Sequence, residues 1–328
     1  MPTVRRAAGI TLVLTLALAL LAGPLGSALA APQIRLSIAT GGTGGVYFPL
    51  GGGLARLISR YIPDVEATAE VTSASVDNMR LIAAKRADLA FTLADTAVDA
   101  IKGEGPFRGA PVPAVTLTPL YNNFNHLVTV EGTGISTVAD LRGKRVSVGS
   151  PGSGTEVTAL RILEAAGLNP DRDIRREGLG VAQSVDALRD RKIDAFFWSG
   201  GLPTPAVLDL ATTPGTRIKL IPLDAVLPTL QRRYGNLYFR VNIPNGVYPG
   251  MTATVPTIGV ANLLVVHRDF NANLAYQITK LIFERRAELA QVHSEAQNIT
   301  LVGIAGRSPL PFHPGAVRYF RERGVEGF

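Results

Sequence analysis

From residue 34 onward, apolar and polar positions follow the same order twice. Leu36–Thr40 alternates in the period-two manner of a strand, runs into Gly41–Gly45, and gives way to helical spacing over Tyr47–Arg60. Arg145–Gly149 alternates in the same way, runs into Ser150-Pro-Gly-Ser-Gly154, and is followed by helical spacing over Thr155–Ala166. Further along, Ser75-Val-Asp-Asn-Met-Arg80 is echoed by Ser184-Val-Asp-Ala-Leu-Arg189, and each segment predicts the opening of a short helix. Each helix leads to a basic pair, an Asp and an apolar strand, at Lys85–Phe91 and Arg191–Phe197. Three matches in the same order, at offsets of 110, 109 and 106 residues, are more than one chance hexapeptide.

The repeated unit is strand, Gly-rich loop, helix, strand, helix, strand. Two β-α-β crossovers of this kind predict a parallel sheet with right-handed connections. The remaining C-terminal part is not a third copy. Val255–His267 reads as a strand returning through the middle, Asn271–Ala290 as a long helix and His313–Gly324 as another. The fold class expected is therefore α/β, with two similar lobes, a hinge and a ligand cleft between them, rather than two independent tandem domains. Lobe 1 is expected to be discontinuous, 31–126 with 255–328, and lobe 2 to be 127–254. Tyr121–Val130 and Val255–Val266 are the predicted crossings, which places His126 at the hinge.

The first thirty residues follow a different grammar. Arg5 and Arg6 precede an apolar stretch over Ala7–Ala22, Gly23-Pro24 breaks it, and Ala28-Leu-Ala30 forms an A-x-A site. This predicts a cleaved signal peptide, 1–30, rather than a membrane anchor, and a soluble exported chain in a periplasm. The arginine pair leaves both the general and the twin-arginine routes open. Removal of the leader takes two Arg and no acid, so the formal charge falls from +7 to +5.

Composition narrows the chemistry. With no Cys there is no disulfide, no thiolate-bound metal, no thiol nucleophile and no lipidated Cys. There is no G-x-S-x-G elbow and no phosphate-binding G-x-x-x-x-G-K-[ST] loop, and Tyr47 stands where a dinucleotide fingerprint would need its third Gly. The four His residues show no metal-ligand spacing, so neither a metal nor another cofactor is expected. No nucleic-acid module is visible.

In parallel α/β sheets, ligands sit beyond the carboxyl ends of strands, near helix N-termini. Four loops qualify: Thr40–Tyr47, Thr92–Thr96, Ser150–Glu156 and Ser199–Pro205. They are rich in Gly, Ser and Thr and nearly free of charge. Gly lets a backbone approach a ligand closely, and helix N-termini present N–H groups with partial positive charge, which suits a small carboxylate or other anion. Thr40, Thr43, Ser150, Ser153 and Thr155 offer hydroxyls; Tyr47 and Trp198 can wall the cleft. Asp95, directly after an apolar strand, either pairs with a ligand ammonium or caps the next helix. Plain structural roles compete: Ser153-Gly-Thr-Glu156 has the form of a capping box, Ser75 and Ser184 have the form of caps, and Tyr47 and Trp198 can simply pack.

At these loops the chain resembles a known family. Ala39-Thr-Gly-Gly-Thr-Gly-Gly-Val-Tyr-Phe-Pro-Leu-Gly51 and Val146-Ser-Val-Gly-Ser-Pro-Gly-Ser-Gly-Thr-Glu156 are similar to segments of the TAXI family, the TRAP-associated extracytoplasmic solute-binding proteins. Ala87–Phe91, Gly105-Pro-Phe107, Asp194–Phe197, Leu202-Pro-Thr-Pro-Ala206, Pro249-Gly250 and His313–Ala316 match in the same order. The resemblance implies a type II periplasmic-binding-protein fold that closes on a ligand and docks on TRAP membrane permease subunits, driven by an ion gradient. It implies a small carboxylate ligand, a glutamate-like amino acid or a dicarboxylate. The implied ligand residues are Thr40, Gly41, Gly42, Thr43, Gly44, Tyr47, Asp95, Ser150, Ser153, Gly154, Thr155, Gly201 and Pro203, to which the cleft reading adds Trp198. Two departures stand out. Trp198 replaces a smaller residue, which implies a narrower pocket or a flatter ligand, and Asn122-Asn-Phe-Asn125 replaces a stretch often containing Pro and Glu. A transport receptor is therefore the expected function. A ligand-presenting sensor is the alternative, and a periplasmic enzyme a weaker one, since no nucleophile–base pair is evident.

Overall fold

The computed structural model describes residues 34–328, so the expected leader, 1–30, lies outside the described residues. The chain opens with β1 (Ile34–Ala39), α1 (Tyr47–Tyr61), β2 (Val65–Glu70), α2 (Ser75–Ala83), β3 (Leu89–Leu93) and α3 (Ala94–Lys102). A long strand, β4 (Ala114–Val130), carries it to β5 (Arg145–Ser147), α4 (Gly154–Ala165), β6 (Arg175–Glu177), α5 (Val181–Arg189), β7 (Ala195–Gly200) and α6 (Pro205–Thr212). Then follow β8 (Ile218–Leu220), α7 (Leu227–Tyr234), β9 (Phe239–Ile243), the long β10 (Val255–His267), α8 (Ala272–Glu284), α9 (Arg286–Ala290) and α10 (Pro314–Glu322).

Among the described residues, ten strands form one sheet in the order β2-β1-β3-β10-β4-β7-β5-β6, with β9 on β10 and β8 on β4. The repeat seen in the sequence is the symmetry of this order. β2-β1-β3 is parallel and continues into antiparallel β10, while β6-β5-β7 is parallel and continues into antiparallel β4. The two long strands pair with each other at the centre, Ala114 to Phe124 of β4 against Gly259 to His267 of β10. They cover the segments 121–130 and 255–266 read as strands in the sequence. Their register slips between Ala261 and Leu263, which puts Asn262 at a bulge.

Period-two alternation sorts the strand residues between cores. Ala39, Ala90, Leu93, Val146, Ala195, Phe197, Val260 and Leu263 face one core that runs under both halves. Their neighbours Ile38, Leu89, Phe91 and Leu264 face a second core with α1, α8 and α10, and Phe196 faces a third with α5 and α6. On α1, Leu50, Leu54, Leu57 and Ile58 form the buried stripe, and each such side chain contributes about 1.5–3 kcal/mol on burial.

Local expectations fare unevenly. Ser75 is not a side-chain cap; it is the first residue of α2, and its Oγ accepts from Leu93 N at 3.1 Å. Ser184 lies inside α5, buried, bonded to Ser147 Oγ at 2.8 Å rather than opening the helix. Ser153 does cap α4, accepting from Glu156 N at 3.0 Å, but Glu156 reaches back to Gly152 N instead of the Ser153 N a capping box requires. The helix expected over 271–290 breaks at Arg285 into α8 and α9.

Candidate functional site

The Gly-rich loops after β1 and β5 face one another across the line where the halves meet. Two backbone carbonyls bridge it. Gly152 O, on the loop before α4, accepts from Val76 N and Asp77 N in the first turn of α2, both at 3.1 Å. Gly44 O, on the loop before α1, accepts from Ala206 N in the first turn of α6 at 3.1 Å. A helix start in each half is thus satisfied by the other half. Gly154 shows why the loops are glycine: a Cβ there would lie 2.6 Å from Ser75 Oγ and 2.7 Å from Leu93 Cδ1, both in the opposite half.

Behind this seam lies a cavity of about 50 Å³. Both halves and the central strands line it: Gly41, Gly42 and Tyr47; Ser75; Tyr121 and Asn123 of β4; Ser150, Ser153, Gly154 and Thr155; Gly180; Trp198 and Ser199. The N-termini of α1, α2, α4 and α5 all reach its wall. Three of those four helices, α1, α2 and α5, have no side-chain cap. Among the described residues, none that lines the cavity is charged. An open cleft of about 790 Å³ adjoins it, sharing Gly42, Ser73, Ser150, Gly180 and Val181, and carries the charged side chains Asp77, Arg80 and Arg86.

The polar floor is a hydrogen-bonded chain across the molecule. Tyr47 Oη donates to Asn262 Oδ1 at the β10 bulge. Asn262 Nδ2 donates to Asn123 Oδ1 at 2.6 Å and to Tyr121 O at 3.1 Å. Asn123 Nδ2 in turn reaches Ser199 Oγ at 3.4 Å, and Ser199 N donates to Thr155 Oγ1 at 3.3 Å. Burial raises the phenol pKa of both Tyr47 and Tyr121, so both stay neutral. The Tyr121 hydroxyl is buried and has no partner among the described residues.

Of the residues singled out in the sequence, Gly41, Gly42, Tyr47, Ser150, Ser153, Gly154, Thr155 and Trp198 line the cavity, while Thr43 and Gly44 stand in the outer cleft. Trp198 forms part of the wall and its Nε1 donates to Thr204 Oγ1 at 2.8 Å. Thr40, Gly201 and Pro203 stand apart from the cavity. Thr40 Oγ1 donates to Glu70 O at 2.6 Å, Gly201 packs between Tyr121 and Glu295, and Pro203 O meets His293 Nε2 at 3.1 Å.

Asp95 requires a correction. It is wholly buried on α3 and does not line the cavity, and its carboxylate accepts from Tyr238 Oη at 2.6 Å and Thr158 Oγ1 at 3.1 Å. Arg161 of α4 lies beside it at 3.7 Å and bonds Asp99 Oδ2 at 2.5 Å. Asp95 belongs to an ion cluster between the halves and has no free face for a ligand ammonium. His126 sits buried on β4, its Nδ1 2.8 Å from Phe124 O and its Nε2 2.9 Å from Tyr248 Oη, and it does not reach the cavity. That pairing gives a neutral ring with its proton on Nδ1, and burial lowers the pKa to about 4.

Tyr121, Asn123 and Ser199 were not singled out as site residues in the sequence. A signal was present: Asn122-Asn-Phe-Asn125 interrupts an otherwise apolar crossing strand, and polar side chains inside a central strand need partners.

The chain is similar to solved structures. PhnD1 of Prochlorococcus marinus, in complex with methylphosphonate, is 11% identical over 89% of this chain and 98% of its own, with a TM-score of 0.54. A protein of Bordetella bronchiseptica RB50 is 17% identical over 88% and 89%, with a TM-score of 0.51. The periplasmic aliphatic sulphonate binding protein SsuA of Escherichia coli is 16% identical over 89% and 94%, at 0.45. The fold is that of the periplasmic binding proteins. Residues 38–324 match the model of the NMT1-like family, and the chain belongs to this family of periplasmic solute-binding proteins.

Proposed function

We propose that this protein is the extracytoplasmic receptor of a TRAP-type secondary transporter, and that it captures a small carboxylate and delivers it to the membrane permease. In this reading 1–30 is removed on export to the periplasm. Residues 31–126 with 255–328 and residues 127–254 form the two lobes, and they close on ligand about the strands near His126. The observation that carries the carboxylate is the cavity: the N-termini of α1, α4 and α5 reach a wall without charged side chains, while that of α2 is satisfied by Gly152 O. Each N-terminus carries roughly half a positive charge, and together they stabilise an anion with backbone donors. The motifs at Ala39–Gly51 and Val146–Glu156 favour the TRAP assignment.

A thermal-shift screen tests the ligand class. A ligand that binds only the folded protein stabilises it by about 2.7 kcal/mol at a hundredfold excess over Kd. Small carboxylates are expected to raise the melting temperature. Stabilisation by neutral sugars, or by methylphosphonate and alkanesulfonates alone, would overturn the carboxylate reading.

A further inference from the structure

We propose that the groove around Arg307, on the other face of the central strands, is a second binding site, and that it takes a small organic carboxylate with an apolar body. The site lies apart from the cavity and does not depend on what the cavity holds.

The two places are separated by the sheet itself. Asn122 and Asn123 are neighbours on β4, so their side chains leave opposite faces of the strand. Asn123 lines the cavity, whereas Asn122 lines an open groove of about 500 Å³. Ala261 of β10, the partner of Asn122 across the central pair, lines the groove as well. The rest of the lining comes from the turn Gly235–Leu237 with Phe239, and from the end of the turn Ile304–Arg307 with the two residues after it. A concave space of this size, mostly apolar with a few polar groups, has the make-up of a small-molecule site.

Charge decides the class of ligand. Among the described residues, Arg307 is the one charged side chain in the lining, and no acid stands with it. It is half-buried, and its one hydrogen bond among the described residues runs to Leu120 O at 3.3 Å. Burial lowers the guanidinium pKa, and no neighbouring acid offsets that desolvation. Arg161 shows the ordinary solution for a cation out of water: it lies against Asp95 and Asp99. A guanidinium carries five N–H donors in a planar fork that matches the two oxygens of a carboxylate, and one backbone carbonyl leaves most of them open. The amides of Asn122 and Asn236, neither bonded to another described side chain, add donors in the same lining. Leu237, Phe239 and Pro309 give the apolar body its contact surface.

Calorimetric titration with phenylacetate, with phenylacetamide as its uncharged match and with inorganic phosphate, tests the proposal on the wild-type protein, Arg307→Gln and Arg307→Lys. Phenylacetate is expected to bind about tenfold or more tightly than phenylacetamide, the scale of one hydrogen-bonded charge. Arg307→Gln should abolish that preference. It keeps a donor for Leu120 O, so its melting temperature without ligand should match wild type. Arg307→Lys keeps the charge but not the fork, and should also bind phenylacetate more weakly. Crystals soaked with phenylacetate carrying a para bromine should show the bromine in the groove by anomalous scattering. No saturable binding of phenylacetate, equal binding of the amide, or wild-type affinity in either variant would overturn the site. Phosphate binding as tightly as phenylacetate would overturn the apolar body, and bromine in the cavity alone would overturn the location.

Discussion

At the scale of single residues, burial decides what a titratable group can do. His126 is neutral in the folded protein because its ring is enclosed and its two nitrogens are matched to Phe124 O and Tyr248 Oη. Its pKa falls from 6.5 to about 4, with desolvation as the main cause. The unfolded chain therefore takes up a proton first as the pH drops. The stabilisation is fully present above pH 6.5 and is lost as the pH falls from there to about 4, a difference of roughly 3 kcal/mol. His126→Asn should flatten that part of the pH profile of unfolding free energy, measured by urea denaturation at pH 7.5 and 4.5. A variant with the same loss between the two pH values would show that His126 is not the group responsible.

At the scale of elements, the Gly-rich loops do more than turn the chain. Gly154 begins α4 where the opposite half offers Ser75 Oγ and Leu93 Cδ1 within 2.6 and 2.7 Å of any added Cβ. Alanine would favour the helix by up to about 1 kcal/mol, yet overpacking at such a contact costs about 1–3 kcal/mol. Gly154→Ala is therefore expected to weaken ligand binding by about tenfold while the circular dichroism spectrum stays unchanged. Undiminished affinity, measured by calorimetry, would show that the halves need not meet at this contact. The same loops mark how far the sequence could be read. The duplicated strand–loop–helix grammar was sufficient to anticipate the two parallel β-α-β units and long strands at 121–130 and 255–266, and eight of the residues singled out line the cavity, because period and Gly content are local signals. Asp95 was not legible: its partner Tyr238 lies 143 residues away, and no local pattern tells whether an acid after a strand turns into the cleft or behind it. Nor was Ser184, whose hydroxyl is claimed by Ser147 of the neighbouring strand.

At the scale of the whole molecule, three sets of contacts join the halves in addition to the pairing of β4 with β10. The loop carbonyls of Gly44 and Gly152 cap helices across the seam. Glu295 accepts from Leu202 N at 2.6 Å, with His293 on Pro203 O beside it. The third set is the buried cluster of Asp95, Asp99, Arg161 and Tyr238, in which Arg161 is 11% exposed and lies 4.0 Å from the Tyr234 ring centroid. If the protein is the two-lobe receptor proposed above, these contacts bias it toward one arrangement of its lobes, and ligand affinity scales with the fraction of molecules in the competent arrangement. Arg161→Met removes the one cation and leaves Asp95 and Asp99 close together out of water. Breaking a buried pair from one side costs about 3–5 kcal/mol. Adding Asp99→Asn removes one of the two stranded charges and should restore part of the loss. The expected result is a larger radius of gyration for ligand-free Arg161→Met by small-angle X-ray scattering, a weaker Kd, and movement of both toward wild type in the double variant. An unchanged radius and Kd in Arg161→Met, with the loss confined to global unfolding, would assign the cluster to the stability of the fold and not to the balance between its halves.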